Sequence, residues 1–314
     1  VGLHATGGST NHTLHLPAMA AAAGITLTWQ DFADLSEVTP LLARVYPNGQ
    51  ADVNHFQAAG GMGYVIAELL GAGLLDGCAA TVSGDSLADY AREPLLSDNG
   101  LVWRDAPSAS LDTDILRPAG DPHAPNGGLR ILDGNLGKAV IKISAVAEER
   151  RLIEAPAAVF EEEAAVKAAY TAGELDRDVV VVVRGQGPQA TGMPELHSLT
   201  PMLSNLQDKG FAVALVTDGR MSGASGKVPS AIHVSPEAFH GGPLGKVQDG
   251  DMVRVCATTG KLEALVDAAE WDAREQASPP PPAMGTGREL FAMLRHHSDP
   301  AEKGGSAMLA EAGL

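Results

Sequence analysis

Two glycine-rich stretches carry the residues that could do chemistry. GQGPQATGMPEL holds Glu195, and VTDGRMSGASGKVP holds Asp218, Arg220, Ser222, Ser225 and Lys227. Each follows an apolar run that reads as a buried strand, VVVVV at residues 179–183 and FAVALV at residues 211–216. Five consecutive valines point to a strand covered on both faces, as in a parallel sheet. Between the two loops, residues 198–209 read as a helix. Strand, helix, strand in this order is a right-handed βαβ unit with parallel strands. Both loops therefore leave the same sheet edge, where open α/β sheets bind ligands. Carboxylates, a serine able to act as base or nucleophile, and two cations are expected to approach one small volume. Each residue also has an ordinary role open to it. Glu195 can open the following helix, where acids are favoured. Asp218-Gly219 makes a good turn, the serines can bond their own loops, and Lys227 can be a solvated charge. The convergence argues for a site where no single member does.

Several familiar chemistries are excluded by spacing. A phosphate loop of the form G-x-x-x-x-G-K-[ST] would need Gly at Met221 and Ser or Thr at Val228. No G-x-S-x-G surrounds Ser9, Ser222 or Ser225, so a nucleophile elbow is unsupported. Neither H-E-x-x-H nor a clustered C-x-x-C occurs. His4, His12 and His15 lie close together. In a helix from Ser9 onward, His12 and His15 are three apart and share a face. Cys78 and Cys256 read as ordinary packing residues, and their separation fits a reducing compartment rather than a disulfide framework.

The elements that must position these residues divide the chain unevenly. Helices are expected from Ser9 to Gly24, from Asp31 to Val45, from about Val53 to Gly73 and over Asp85 to Glu93, with no clear strand before residue 100. That is the helical flank of a domain whose sheet lies upstream. The proline-rich and glycine-rich span Ser97 to Gly128 reads as the crossing between domains, giving domains of 1–100 and 101–314. Beyond it, IKISAV (141–146) alternates like a half-buried strand, and residues 156–172 read as a helix. The βαβ unit and two short strand regions (HVSPEA and DMVRVCATTGKLEALV) follow. Pro279 to Pro282 reads as a stiff linker, and Arg288 to Arg295 as a last helix. The fold class is α/β, with a mixed, β-rich, barrel-like second domain.

The 314 residues carry a net charge of −17, which disfavours nucleic acid and anionic membrane as partners. No window reaches the roughly 18 apolar residues that a membrane span needs. The chain opens on Val1, inside a structured motif, so an N-terminal part is expected to precede it.

GGSTNHTLHLPAMAAAAGI, YPNGQADVNHFQAAGGM, GNLGKAVIKISAV, GMPELHSLTPML, TDGRMSGASGKVPSAIHVSPEA and GTGRELFAMLR together resemble the dihydroxyacid/6-phosphogluconate dehydratase family. They do so in order and over nearly the whole chain. GGSTNHT, YPNG-x-ADVNHF and SGKVPSAIH look like its 6-phosphogluconate branch. The resemblance implies an N-terminal α/β domain holding an iron–sulfur cluster, a β-rich C-terminal domain closing over the site, a homodimer, and a cytoplasmic enzyme. The implied reaction converts 6-phospho-D-gluconate to 2-dehydro-3-deoxy-6-phosphogluconate in the Entner–Doudoroff route.

By motif, Glu195 matches the family's carboxylate near the metal, and Ser222 its proposed base. Arg220 is the expected helper of a serine alkoxide. Lys227, with Ser225, Ser9, Thr10, Asn11 and His12, is expected at the substrate, Lys227 and secondarily His12 at its phosphate. The cluster is expected to be [4Fe-4S], or [2Fe-2S] with Mg2+. Its cysteines lie N-terminal to GGSTN in the family, so neither Cys78 nor Cys256 matches one, and the chain alone is expected to be inactive. Two further readings stay open: a dehydratase of a non-phosphorylated sugar acid or dihydroxyacid, and a non-catalytic anion-binding module.

Overall fold

The computed structural model describes residues 1–82, 84, 86–221, 226–279, 284, 285 and 287–308. Two compact units result, residues 1–8 with 34–128, and residues 9–33 with 129–314.

The chain begins with α1 (Gly2–Ala5), α2 (His12–Ala22) and α3 (Trp29–Val38). The helix expected to reach Val45 stops seven residues early. Pro40 has no N–H to continue the ladder, and it disfavours helical geometry at Thr39. Leu41 and Ala43 instead form isolated bridges with Ala124 and Leu116. The single helix expected from Val53 to Gly73 is two, α4 (Val53–Ala59) and α5 (Gly61–Gly71). They break at Gly60, whose φ of +137° is open to glycine alone. The helix expected over Asp85 to Glu93 is a single 3-10 turn at Leu87–Tyr90.

A hairpin of β1 (Arg92–Ser97) and β2 (Gly100–Asp105) then begins before residue 100, where no strand was expected. Pro94 hides it in the sequence, and a two-stranded ribbon tolerates proline because each strand has a free edge. The first unit's core is built from Leu42, Tyr64, Val65, Leu69, Ile115 and Leu116.

The second unit is organised by a closed barrel. Its elements are β3 (Leu129–Gly134), β4 (Gly137–Lys142), β5 (Leu152–Phe160), α6 (Glu163–Thr171), β6 (Val179–Val183), α7 (Leu199–Asp208), β7 (Val213–Thr217), β8 (Ser230–Ser235), β9 (Met252–Cys256) and β10 (Lys261–Ala264). The strands close in the order β10-β3-β4-β8-β7-β6-β5-β9. The ladders from β5 through β6 and β7 to β8 are parallel, and β6-α7-β7 is the expected βαβ unit.

Alternate residues fill the interior: Ala155 and Ala157, Val180 and Val182, Ala214 and Val216, Val253 and Val255. The intervening Val179, Val181 and Val183 face outward yet are equally buried, on the side where α6 packs on β5 and α7 on β7. Burial on both faces is what the valine run required.

The helix expected over 156–172 is half wrong, because Leu152–Phe160 is β5. Its alanines favour a helix locally, but pairing with both β6 and β9 overrides that preference. The strand expected over 141–146 ends at Lys142. After α8 (Ala268–Ala273) comes α9 (Ala292–His296), which starts four residues later than expected. Pro280 to Pro282 of the expected linker lie outside the described residues. Among the described residues no helix is long and apolar enough to cross a membrane.

Candidate active site

The loops after β6 and β7 are tied together at the shared sheet edge by Asp218. Its carboxylate accepts the backbone N–H groups of Gly185 (3.0 Å), Gln186 (2.8 Å) and Ala238 (2.9 Å). The residue is fully buried. Burial pushes its carboxyl above the ordinary range, while the three donors favour its charged form. Asp218 is committed to holding the loops.

One step further along the loops, Glu195 and Arg220 form an isolated parallel bridge, in which Leu196 N–H donates to the Arg220 carbonyl (3.0 Å). The side chains pair as well. Arg220 Nη1 donates to Glu195 Oε1 (2.9 Å), and Arg220 Nε donates to the Met193 carbonyl (2.8 Å). Met193 presents that carbonyl from a left-handed conformation (φ +55°) after Gly192 (φ +79°), a backbone cost that clusters at functional sites. Asn11 Nδ2 reaches the same Glu195 oxygen at 3.4 Å. Glu195 does not open α7, which starts at Leu199. About a third of each charged side chain stays exposed, 36% for Glu195 and 29% for Arg220, so the pair is both anchored and reachable.

The turn before α2 brings the GGSTNHT residues to this pair. Ser9 Oγ accepts the Asn11 N–H (3.2 Å), and His12 Nδ1 lies 3.0 Å from the Ser9 carbonyl, with the ring exposed. Thr10 is buried; its carbonyl accepts the Thr13 hydroxyl at 2.8 Å. Thr13 Oγ1 in turn sits 3.2 Å from Nδ1 of His233. The single hydroxyl proton of Thr13 is spent on Thr10, so His233 carries its proton on Nδ1. Its Nε2 keeps a buried lone pair with no partner among the described residues. Burial, helped by the nearby Arg220 charge, holds His233 down to about 3, so the ring is neutral.

Lys142, at the end of β4, lines a small cavity with Thr10, Met221, Gly226, Val228 and Ser230. Burial lowers its ammonium to about 8. Lys227 is exposed beside that cavity's lining. Ser222 and Ser225 lie outside the described residues.

Three groups escaped sequence reasoning. His233 and Lys142 sit in strands, where alternation marks a residue as polar but says nothing of its burial. Glu237 stands in SPEA and caps the first loop, accepting the Gln189 N–H at 2.9 Å. Burial lifts it to about 7.

A cleft of about 520 Å³ opens beside Arg220, with His15, Met193, Phe291, Leu294 and Arg295 among its walls. The first unit has its own cleft of about 720 Å³, where Arg92 is accompanied by Asp89 and Glu93. None of the residues singled out in the sequence lines that second cleft.

The cysteines do not fit an iron–sulfur cluster. Cys78, expected as a packing residue, is instead exposed on the first unit, whereas Cys256 is buried on β9 as expected, its Sγ accepting the Thr259 N–H. Among the described residues no three His, Cys, Asp or Glu side chains come together as a metal site.

Known proteins match this chain along its length. It is 61% identical over 305 residues to a phosphogluconate dehydratase of Pseudomonas aeruginosa, covering 97% of this chain and 50% of that protein. A phosphogluconate dehydratase of Zymomonas mobilis is 58% identical over 315 residues, all of this chain and 52% of the relative. A dihydroxy-acid dehydratase of Nitratidesulfovibrio vulgaris is 41% identical over 280 residues, 88% of this chain and 48% of the relative. The chain thus spans about half the length of the curated relatives it matches. The dihydroxy-acid/6-phosphogluconate dehydratase N-terminal model matches residues 1–90, and the C-terminal model matches residues 114–305. On these matches the chain belongs to the dihydroxy-acid/6-phosphogluconate dehydratase family.

Proposed function

We propose that this chain supplies the substrate-facing and proton-handling part of a phosphogluconate dehydratase. That enzyme removes water from 6-phospho-D-gluconate to give 2-dehydro-3-deoxy-6-phospho-D-gluconate, as a cytoplasmic homodimer. The observation that carries the reading is 61% identity to a phosphogluconate dehydratase across 97% of the chain. Identity to a dihydroxy-acid dehydratase is lower, at 41%, which favours the phosphorylated substrate over the non-phosphorylated one.

The overall reaction breaks the C2–H and C3–O bonds and releases one water. The enol left behind tautomerises to the 2-keto acid, so no oxidant or reductant is consumed. In this reading Ser222 takes the C2 proton, and Arg220 stabilises negative charge near it while aiming Glu195. Asn11, Ser9, Thr10, His12, Ser225 and Lys227 contact the substrate. Glu195, whose Oε1 is shared between Arg220 and Asn11, is the carboxylate that would hold a metal. The iron–sulfur cluster belongs to the reading through the family alone. The cysteines of this chain do not fit it.

Iron reconstitution without oxygen, followed by 2-keto acid detection, tests the proposal. The chain is assayed alone and joined to the remaining half of the Pseudomonas aeruginosa relative. Keto acid from 6-phosphogluconate but not from gluconate in the joined protein is the expected result. No turnover in either form, in a folded iron-loaded sample, would sink the reading. Light scattering on the joined protein tests the dimer.

A further inference from the structure

We infer that the cleft beside Arg220 seats the phosphate of the substrate, and that Arg295 with His15 holds it. The inference rests on the dehydratase reading above and adds the residues that select a phosphorylated sugar acid.

This chain has 39 acidic residues against 22 Lys and Arg, yet among the described residues the cleft is lined by Arg220, Arg295 and His15 and by no acidic side chain. A basic lining on so acidic a molecule is a local exception, and clefts lined by one sign of charge concentrate ligands of the other. Arg220 already has a partner in Glu195. Arg295 has none: among the described residues its side chain makes one hydrogen bond, from Nη2 to the Arg288 carbonyl at 2.9 Å, and no ion pair. That bond fixes the guanidinium and leaves most of its donors for a ligand. A phosphate monoester accepts from such a fork in bidentate fashion.

The wall carrying Arg295 is built in place. Gln189, on the loop that leads to Glu195, donates through Nε2 to the Ser298 carbonyl at 2.6 Å. At its far end the segment packs on α2. A Cβ on Gly304 would stand 2.7 Å from the Ala18 backbone nitrogen, so only glycine fits there. Gly192 lies against the Arg295 stem, where an added Cβ would meet its Cγ and Cδ at 3.9 Å. Arg295 is thereby held over the same loop that presents Met193 and Glu195.

Arg220 belongs both to the Glu195 pair and to the cleft lining. A sugar acid whose reacting carbons sit at Glu195 would run past Arg220 and bring its far end to Arg295 and His15. Lys227, the cation expected at the phosphate once the resemblance named a phosphorylated substrate, is exposed and does not line the cleft.

Titration calorimetry on this chain with 6-phosphogluconate, gluconate and inorganic phosphate separates the possibilities, with melting curves to confirm that each variant folds. The unaltered chain is expected to bind 6-phosphogluconate more tightly than gluconate. Arg295→Gln should weaken 6-phosphogluconate binding about 10- to 100-fold, the range of a lost charge-assisted hydrogen bond, and leave gluconate within about 2-fold. His15→Gln should act in the same direction more weakly, and any effect of Lys227→Gln should fall on 6-phosphogluconate and gluconate alike. A folded Arg295→Gln chain that binds 6-phosphogluconate normally, a loss that follows Lys227 instead, or no preference for the phosphorylated ligand would each overturn the inference. The turnover assay on the joined protein keeps the two proposals apart. Turnover without an Arg295-dependent affinity sinks the phosphate site alone. An Arg295-dependent affinity without turnover sinks the dehydratase reading and leaves the phosphate site standing.

Discussion

Arg220 is the residue on which the geometry of the site turns, because one guanidinium makes two directed bonds at once. Nη1 holds Glu195 and Nε holds the Met193 carbonyl. Lysine keeps the charge but offers a single point donor, so it cannot serve both partners. Arg220→Lys in the joined protein should therefore lower kcat for 6-phosphogluconate about 10- to 100-fold, in line with about 1.5–3 kcal/mol for a lost charge-assisted bond. Its melting temperature should change little, since Glu195 remains partly solvated. A fall in kcat matched by a collapse in melting temperature would show that the pair serves the fold instead. Glu195 and Arg220 were legible in the sequence because a βαβ unit fixes where its two loops emerge. His233 was not, because its neutrality comes from total burial, and burial is set by segments more than 200 residues away in the chain, as Thr13 at its Nδ1 shows.

At the scale of elements, glycines decide where the local pattern is overruled. The apolar periodicity from Val53 to Gly73 is continuous, and nothing in it marks the break except the Gly60-Gly61 pair. Gly60 has φ +137°, and a Cβ there would lie 2.9 Å from Cβ of Tyr64. Gly60→Ala should destabilise the first unit by about 1–2 kcal/mol in urea unfolding, without altering 6-phosphogluconate binding. The β6 loop gives the contrasting case. A Cβ on Gly187 would overlap Oε2 of Glu237 and displace the carboxylate that caps Gln189. Gly187→Ala should cost more than Gly60→Ala, about 2–3 kcal/mol, and should weaken ligand binding, because Gln189 also anchors the Arg295 segment. Equal and purely structural effects of the two substitutions would argue against that linkage. The strand β5 shows the opposite failure of local reading. Its alanines suit a helix in isolation, and only the barrel, which needs small residues inside, makes a strand of them.

Over the whole molecule, parallel and antiparallel ladders close into one barrel. The β-rich character was legible from the valine run and the short alternating segments, whereas closure depends on β10 pairing with β3 across 127 residues of sequence or more, which no local pattern encodes. Closure also explains why titratable groups end up buried around the barrel mouth, and their linkage to stability can be worked out in sign. Glu237 is raised from 4.5 to about 7, chiefly by burial and further by the Asp218 charge, with His240 Nδ1 3.2 Å away. The folded state then holds a proton that the unfolded state has lost between those values, so Glu237 contributes stability below about pH 4.5 that disappears as pH rises to 7. His233, lowered to about 3, acts in reverse. The unfolded state binds the extra proton between about 3 and 6.5, and stability rises with pH through that window. The two contributions oppose each other from about pH 4.5 to 6.5, so the unaltered chain should show a nearly flat stability there. Glu237→Gln should uncover the hidden slope. Its stability should rise with pH across that interval, and its advantage over the unaltered chain should grow to at most about 3 kcal/mol by pH 7.5. Lys142, lowered to about 8 by burial, adds stability only as pH climbs from about 8 toward 10.5, outside this window. Urea unfolding at half-unit steps from pH 4.5 to 7.5 checks the prediction. A variant curve that stays parallel to the unaltered one would mean that Glu237 is ionised in the folded chain throughout, and that the Gln189 and Ala190 N–H groups and the His240 ring outweigh its burial.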